Sequence, residues 1–114
     1  MPRAAAHADV FTAVAESPRR DILVYLTAGE RSVGEIAAAL ELGQPSVSKH
    51  LKVLRNVGLV DARREGKQMF YRTNAAALRP LHEWTRTFER YWSHQLARVK
   101  ERAERAQTNR GGKP

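Results

Sequence analysis

A mainly α-helical domain carrying one small β-hairpin is the fold class this sequence predicts. Three observations predict it. Apolar residues recur at steps of three and four along most of the chain, in stretches bounded by helix-start and helix-stop residues. The period switches to strand-like across 59–73 only, where Arg64-Glu65-Gly66-Lys67 parts two runs. A long apolar seam then closes the chain.

Residues 1–8 read as a flexible arm. Across 9–16, Val10, Phe11, Val14 and Ala15 fall at helical spacing and predict a short amphipathic helix. Ser17-Pro18 is a start signal, a capping hydroxyl followed by a proline whose missing N–H costs nothing at a first helical position. The helix it opens carries Ile22, Leu23 and Leu26 on one stripe, and Gly29 is its predicted stop. Ser32-Val33-Gly34-Glu35 has the capping-box spacing, and a short helix should follow through Ile36, Ala37 and Leu40. After Leu42-Gly43, Pro45 again marks a helix start. That helix puts Val47, Leu51, Leu54 and Val57 on one face and Ser48, Lys49, Lys52 and Arg55 on the other, and Gly58 ends it.

Leu59-Val60-Asp61-Ala62-Arg63 and Gln68-Met69-Phe70-Tyr71-Arg72 read as two strands joined through a glycine-containing tight turn. Asn74 can cap a short helical turn at 75–78, because Pro80 does not fit inside a helix. One long helix is expected from about Pro80 to Ala106. It carries Leu81, Trp84, Phe88, Trp92, Leu96, Val99 and Ala103 at steps of three or four, close to a heptad seam. Residues 107–114 are polar and glycine-containing and are predicted to be disordered. The expected organisation is one domain over 9–106.

Charge points to the class of partner. Among 114 residues, 20 Lys plus Arg oppose 12 Asp plus Glu, a formal net charge of +8. Such a surplus suits a polyanion. No apolar run approaches the roughly 20 residues that span a bilayer, and 1–7 holds no apolar signal core, so a cytoplasmic protein without a membrane partner is expected. The absence of cysteine excludes disulfides, thiolate metal sites and thiol redox sensing.

Two short helices parted by a glycine-containing turn, then a basic hairpin, make a winged helix-turn-helix. In that architecture the second helix enters the major groove. Its outer face and N-terminal end offer Gln44, Ser46, Ser48, Lys49, His50 and Lys52. Gln can pair with adenine through two hydrogen bonds and Lys can reach guanine acceptors. Ser hydroxyls and the helix N-terminus suit phosphate oxygens. The hairpin adds Arg63, Arg64, Lys67 and Arg72 as candidate contacts to the backbone or the minor groove. Taken singly, the apolar face is ordinary core and the basic hairpin an ordinary solvated surface. Their order along the chain lifts the DNA reading above both.

Several runs carry a family resemblance: Ser17-Pro18-Arg19-Arg20-Asp21-Ile22-Leu23, then Ser32-Val33-Gly34-Glu35-Ile36-Ala37, then Gln44-Pro45-Ser46-Val47-Ser48-Lys49-His50-Leu51-Lys52-Val53-Leu54, then Gly58-Leu59-Val60 with Arg63, Gly66-Lys67 and Tyr71. Over roughly 9–100 the chain resembles the ArsR/SmtB family of bacterial winged-helix repressors. The resemblance implies a homodimer formed by the first and last helices, and repression by covering an operator. For that interface it points to Val10, Phe11, Val14, Leu81, Trp84, Phe88, Trp92 and Leu96.

Metal sites of the family transfer poorly. Its Cys-x-Cys pair falls on Ser32 and Gly34. Its Asp-x-His element in the last helix meets Pro80-x-His82, and Ser93 and Leu96 stand where the partner element would be. His94 is one residue out of register, a rotation of about 100° on a helix. No cofactor or metal is therefore assigned, although His82, Glu83 and His94 form the one unorthodox set on which a metal-responsive repressor could rest. An alternative use of Trp84, Phe88, Tyr91 and Trp92 is a pocket for an unidentified apolar effector.

The competing functions are a sequence-specific, autoregulatory repressor on an inverted repeat, a nonspecific architectural binder, and an enzyme. Against the second, Gln44, Ser46 and Ser48 are polar readers where Lys and Arg would serve a nonspecific binder. Against the third, there is no cysteine nucleophile, no glycine-rich phosphate loop and no acidic pair at a credible site.

Overall fold

The structure is a computed structural model and describes residues 9–111. The arm expected at 1–8 lies outside the described residues, as do 112–114. In chain order the elements are α1 (Val10–Ala13), α2 (Ser17–Tyr25), β1 (Arg31–Ser32), α3 (Val33–Leu40), α4 (Gln44–Asn56), β2 (Val60–Glu65), β3 (Gln68–Thr73), α5 (Arg79–Arg86) and α6 (Glu89–Gly111). Short 3-10 turns, Leu26–Ala28 and Ala75–Leu78, follow α2 and precede α5. The chain divides into two compact units, with the boundary between Leu81 and His82.

In the first unit, local signals set most of the boundaries. Asp9 caps α1, its Oδ1 accepting from the Thr12 backbone N–H at 2.7 Å. The helix ends earlier than its apolar spacing predicts, because arginines of α2 take its last carbonyls. Arg19 Nε donates to the Ala13 carbonyl at 2.6 Å, and Arg20 Nη1 to that of Val14 at 2.8 Å. Arg19 is buried, and these bonds together with Glu16 at 3.3 Å compensate its charge. The first turn of α2 closes on Glu16, whose carbonyl accepts from the N–H groups of Arg19 and Arg20. Ser17 is therefore already helical rather than the cap.

The capping box of α3 forms as its spacing predicts. Glu35 N–H donates to Ser32 Oγ at 3.2 Å, and Ser32 N–H to Glu35 Oε1 at 2.8 Å. The end of α4 is a Schellman motif. Gly58 takes φ 80, its N–H bonds the Arg55 carbonyl at 3.0 Å, and the Leu59 N–H reaches back to Leu54 at 2.9 Å. Leu54 and Leu59, which this turn brings together, are both fully buried. The turn thereby fixes the direction in which the hairpin leaves the helix.

The sheet is antiparallel in the order β1-β3-β2. The two-residue strand β1 was not foreseen, and it pairs Arg31 with Tyr71 and Ser32 with Phe70. Glu65 pairs with Gln68, so the hairpin loop is Gly66-Lys67 alone. Positive φ (63) falls on Gly66 and not on Lys67, the type II′ pattern that favours glycine first. Ile22, Leu26, Ile36, Val47, Leu51, Leu54, Leu59 and Val60 form the core of this unit.

The second unit departs from the expected single helix. α5 ends at Arg86 and α6 begins at Glu89. Between them the backbone tightens to three-residue bonds, Thr87 N–H to Trp84 and Phe88 N–H to Thr85. Two threonine hydroxyls also claim helical carbonyls, Thr85 Oγ1 that of His82 at 3.0 Å and Thr87 Oγ1 that of Trp84 at 2.7 Å. At its far end α6 runs to Gly111, past the predicted end at Ala106 and into the stretch expected to be disordered. No helix breaker precedes Gly111, and Glu101 and Arg105 pair along the helix at 3.9 Å.

Candidate nucleic-acid interface

Helical rotation of about 100° per residue sorts the side chains of α4. Val47, Leu51 and Leu54 turn into the core. Gln44, Ser48, Lys52 and Arg55 form the exposed flank beside the sheet. Lys49 lies on the side away from the core and is exposed. Ser46 and His50 take the opposite flank, where Ser46 is exposed and His50 half-buried. Ser48 and His50 are thus about 160° apart around the helix.

Two neighbouring clefts lie between α4 and the sheet. One, of about 390 Å³, is lined by Ser32, Gly34, Gln44, Lys67 and Met69, among others. The second, of about 590 Å³, is lined by Ser48, Leu51, Lys52, Arg55 and Asn56. Tyr71 lines both.

The wing has two chemically different faces, because strand side chains alternate. Arg63, paired with Phe70, and Arg72, paired with Asp61, share one face. There Arg63 reaches Glu30 at 2.8 Å and Glu65 at 2.7 Å, and its guanidinium lies 5.2 Å from the Phe70 ring centroid. Arg72 meets Asp61 at 3.7 Å. The hydrogen bond from Arg63 holds the Glu30 carboxyl below its ordinary value, and Glu30 and Glu65 raise the Arg63 guanidinium further above its own. Arg64, opposite Met69, shares the other face with Tyr71, and Lys67 occupies the tip. Among the described residues, Arg64, Lys67, Lys49, Lys52 and Arg55 make no ion pair.

This arrangement, a capped α3, a short turn, α4 and a basic β-hairpin, is a winged helix-turn-helix. The family described as bacterial regulatory protein, arsR family, matches residues 16–62. The transcriptional repressor SdpR of Bacillus subtilis is 31% identical over 80 residues, 70% of this chain and 89% of its own. This chain belongs to the arsR family. The biofilm growth-associated repressor of Agrobacterium fabrum is 46% identical over 70 residues, 61% of this chain and 60% of that protein's length. The transcriptional activator HlyU of Vibrio cholerae is 39% identical over 71 residues, 62% of this chain and 66% of its own. The chain thus spans less than two thirds of the length of these last two relatives. Among solved structures, the homodimeric winged helix-turn-helix DNA-binding domain from Mycobacterium bovis matches with a TM-score of 0.59 and 34% identity, covering 70% of this chain and 75% of that one.

For this arsR-family chain, the structure gathers only part of the predicted contact set. Gln44, Ser48, Lys52 and Lys67 line the two clefts, and Arg64 shares the Tyr71 face of the wing. Ser46 and His50 sit on the other flank of α4, and Arg63 and Arg72 on the far face of the wing, held by acids. Tyr71, Arg55 and Asn56 were missed as candidate site residues. A signal was present for Arg55, since 44, 48 and 55 recur at helical spacing on one flank. Strand alternation likewise placed Tyr71 with Met69.

Of the expected interface residues, Val10 and Val14 pack in part on the core of the first unit, while Phe11 is exposed. Leu81 is half-buried, and Trp84, Phe88, Trp92 and Leu96 are exposed. Trp84 and Phe88 meet edge to face at 5.5 Å, and Phe88 stacks with Trp92 at 6.4 Å. Among the described residues no group of three or more His, Cys, Asp or Glu is placed to hold a metal ion, and no helix is long and apolar enough to cross a membrane.

Proposed function

We propose that this chain is a cytoplasmic, autoregulatory transcriptional repressor that binds an inverted-repeat operator as a homodimer. One observation carries the reading: Gln44, Ser48, Lys52 and Arg55 lie along one flank of α4, and the wing of the same unit adds Arg64 on its Tyr71 face and Lys67 at its tip. In this reading α4 enters the major groove, where Gln44 pairs with a base edge, Ser46, Ser48, Lys49 and His50 contact bases or phosphates beside it, and Lys52 takes a phosphate. Arg64 and Lys67 hold the backbone flanking the groove, while Arg63 and Arg72 face away and act by keeping the wing in place. The pairing surface is built from α1, α5 and α6 through Val10, Phe11, Val14, Leu81, Trp84, Phe88, Trp92 and Leu96. The homodimeric relative supports it, as does the aromatic seam left exposed in a single chain. Twofold symmetry then sets the two half-sites roughly 34 Å apart. The work is recognition, without catalysis or a resident cofactor, and no effector is assigned.

The test is fluorescence anisotropy with duplex from the protein's own upstream region and with scrambled duplex, at physiological salt. A repressor of this kind should prefer its operator by about 10³-fold or more. A ratio near one would leave only the nonspecific binder. Transcription in vitro from the same promoter should fall when the protein is added. A rise would give it the sign carried by the name of its Vibrio cholerae relative.

A further inference from the structure

We infer that the groove between α4 and the sheet seats one sugar–phosphate strand of the duplex, with Arg55, Asn56 and the Tyr71 hydroxyl as phosphate contacts. The inference rests on the DNA-binding function proposed above and adds a second stretch of interface along the C-terminal half of α4.

The two clefts adjoin at Tyr71, one reaching Gln44 and Ser32 and the other Arg55 and Asn56, and together they flank α4. At 1.5 Å per residue, the α4 wall from Gln44 to Asn56 is about 18 Å long, enough for several consecutive phosphates of one strand. Its chemistry is one-signed. Lys52, Arg55 and Lys67 line it, and among the described residues no carboxylate does. Of the nearby acids, Asp61 and Glu65 sit on the other face of the sheet and are occupied by Arg72 and Arg63, as Glu30 is by Arg63, and Glu35 is engaged by the Ser32 N–H in the capping box of α3. The other polar lining side chains are neutral, among them Ser48, Asn56 and Gln44, and Val33, Leu51 and Met69 complete the walls. Hydroxyl and amide side chains such as those of Ser48 and Asn56 can contact phosphate oxygens.

Tyr71 is the fixed point of the groove. Its ring is half-buried against the core, and its backbone is held between β1 and β2 by pairing with Arg31 and Ala62. No hydrogen bond engages its hydroxyl among the described residues. A donor on a rigid, strand-mounted ring is preorganised for an anion in a way that a lysine on a flexible stem is not.

The experiment measures anisotropy over a salt series for wild type, Arg55→Gln and Tyr71→Phe, on operator and scrambled duplexes. Melting curves check that both variants fold. Arg55 is exposed, and the Phe variant keeps the packed ring. Arg55→Gln should weaken both duplexes by a similar factor, about 3- to 10-fold, and lower the slope of log K against log salt by about one. Tyr71→Phe should weaken both duplexes about 3-fold and leave the operator-to-scrambled ratio unchanged. Duplexes with one methylphosphonate at successive positions complete the test. One neutralised position should weaken wild type and have no further effect on Arg55→Gln.

Unchanged affinity and slope in both variants would overturn the inference, and so would a loss of operator preference without a change in slope. If wild type shows no operator preference, the repressor reading fails on its own. The slopes on scrambled duplex would still decide the groove.

Discussion

The two compact units treat their apolar side chains in opposite ways. Before Leu81, the large aliphatics go inside, with Ile22, Ile36 and Leu54 all at 0% exposure. After it, Trp84 stands 56% exposed, Trp92 49% and Leu96 67%, and none of residues 82–107 is buried. The first unit has its own core. The second is chiefly a 23-residue amphipathic helix with no buried seam in a single chain, and helices gain most of their stability from packing such a face. Every candidate DNA contact lies on the unit that can hold itself together. In the proposed reading, this division separates the DNA contacts from the aromatic part of the pairing surface.

The largest effect should come from cutting into the self-sufficient unit. Leu54→Ala removes a fully buried side chain that also anchors the turn at Gly58, and should cost about 2–5 kcal/mol of unfolding free energy in urea titrations. A loss well below 1 kcal/mol would mean that this core does not carry the fold. In the second unit the same kind of truncation should leave folding of the first nearly untouched and act on assembly. Trp92→Ala should raise the dimer dissociation constant about 30-fold, near 2 kcal/mol, in sedimentation equilibrium. An unchanged constant would place the pairing surface elsewhere. Gly58→Ala should be smaller than the core change, about 1–2 kcal/mol in the same urea titrations, because alanine must then adopt a left-handed backbone at φ 80.

The same division marks what the sequence made legible. Caps, stops and the hairpin act between residues a few positions apart, so Ser32 with Glu35, Gly58 after Val57, and Gly66 before Lys67 can be read directly. The identity of the reading helix follows from them. Strand β1 has only two residues and exists because β3, some 40 positions later, pairs with it, so no local pattern announces it. Arg63 looked like a free cation for the same reason: its partner Glu30 is 33 residues away. The break between α5 and α6 was hidden by a continuous apolar seam, although Thr85 and Thr87 are poor residues for a helix interior. The split of Ser48 from His50 was available from helical rotation alone. It shows that a polar face of a helix is two flanks with different neighbours.

The smallest expected effect tests whether the paired face of the wing differs from its free face. Arg63 bonds Glu30 and so holds that carboxyl below its ordinary value of 4.5. A folded-state value below the unfolded one means that the tie stabilises the fold fully above about pH 4.5, and that its contribution is lost as pH falls through the lowered value. Glu30→Gln should therefore lower the melting temperature slightly at pH 7, and the gap to wild type should close as melts are taken toward pH 3. The pair is exposed, so salt should narrow the gap as well. A gap that stays constant with pH would trace the loss to packing rather than charge. On the free face, Arg64→Ala should leave the melting temperature unchanged at every pH yet weaken operator and scrambled DNA alike. If the two variants instead behave the same way in both assays, the faces are equivalent and the distinction between bracing and contacting arginines falls.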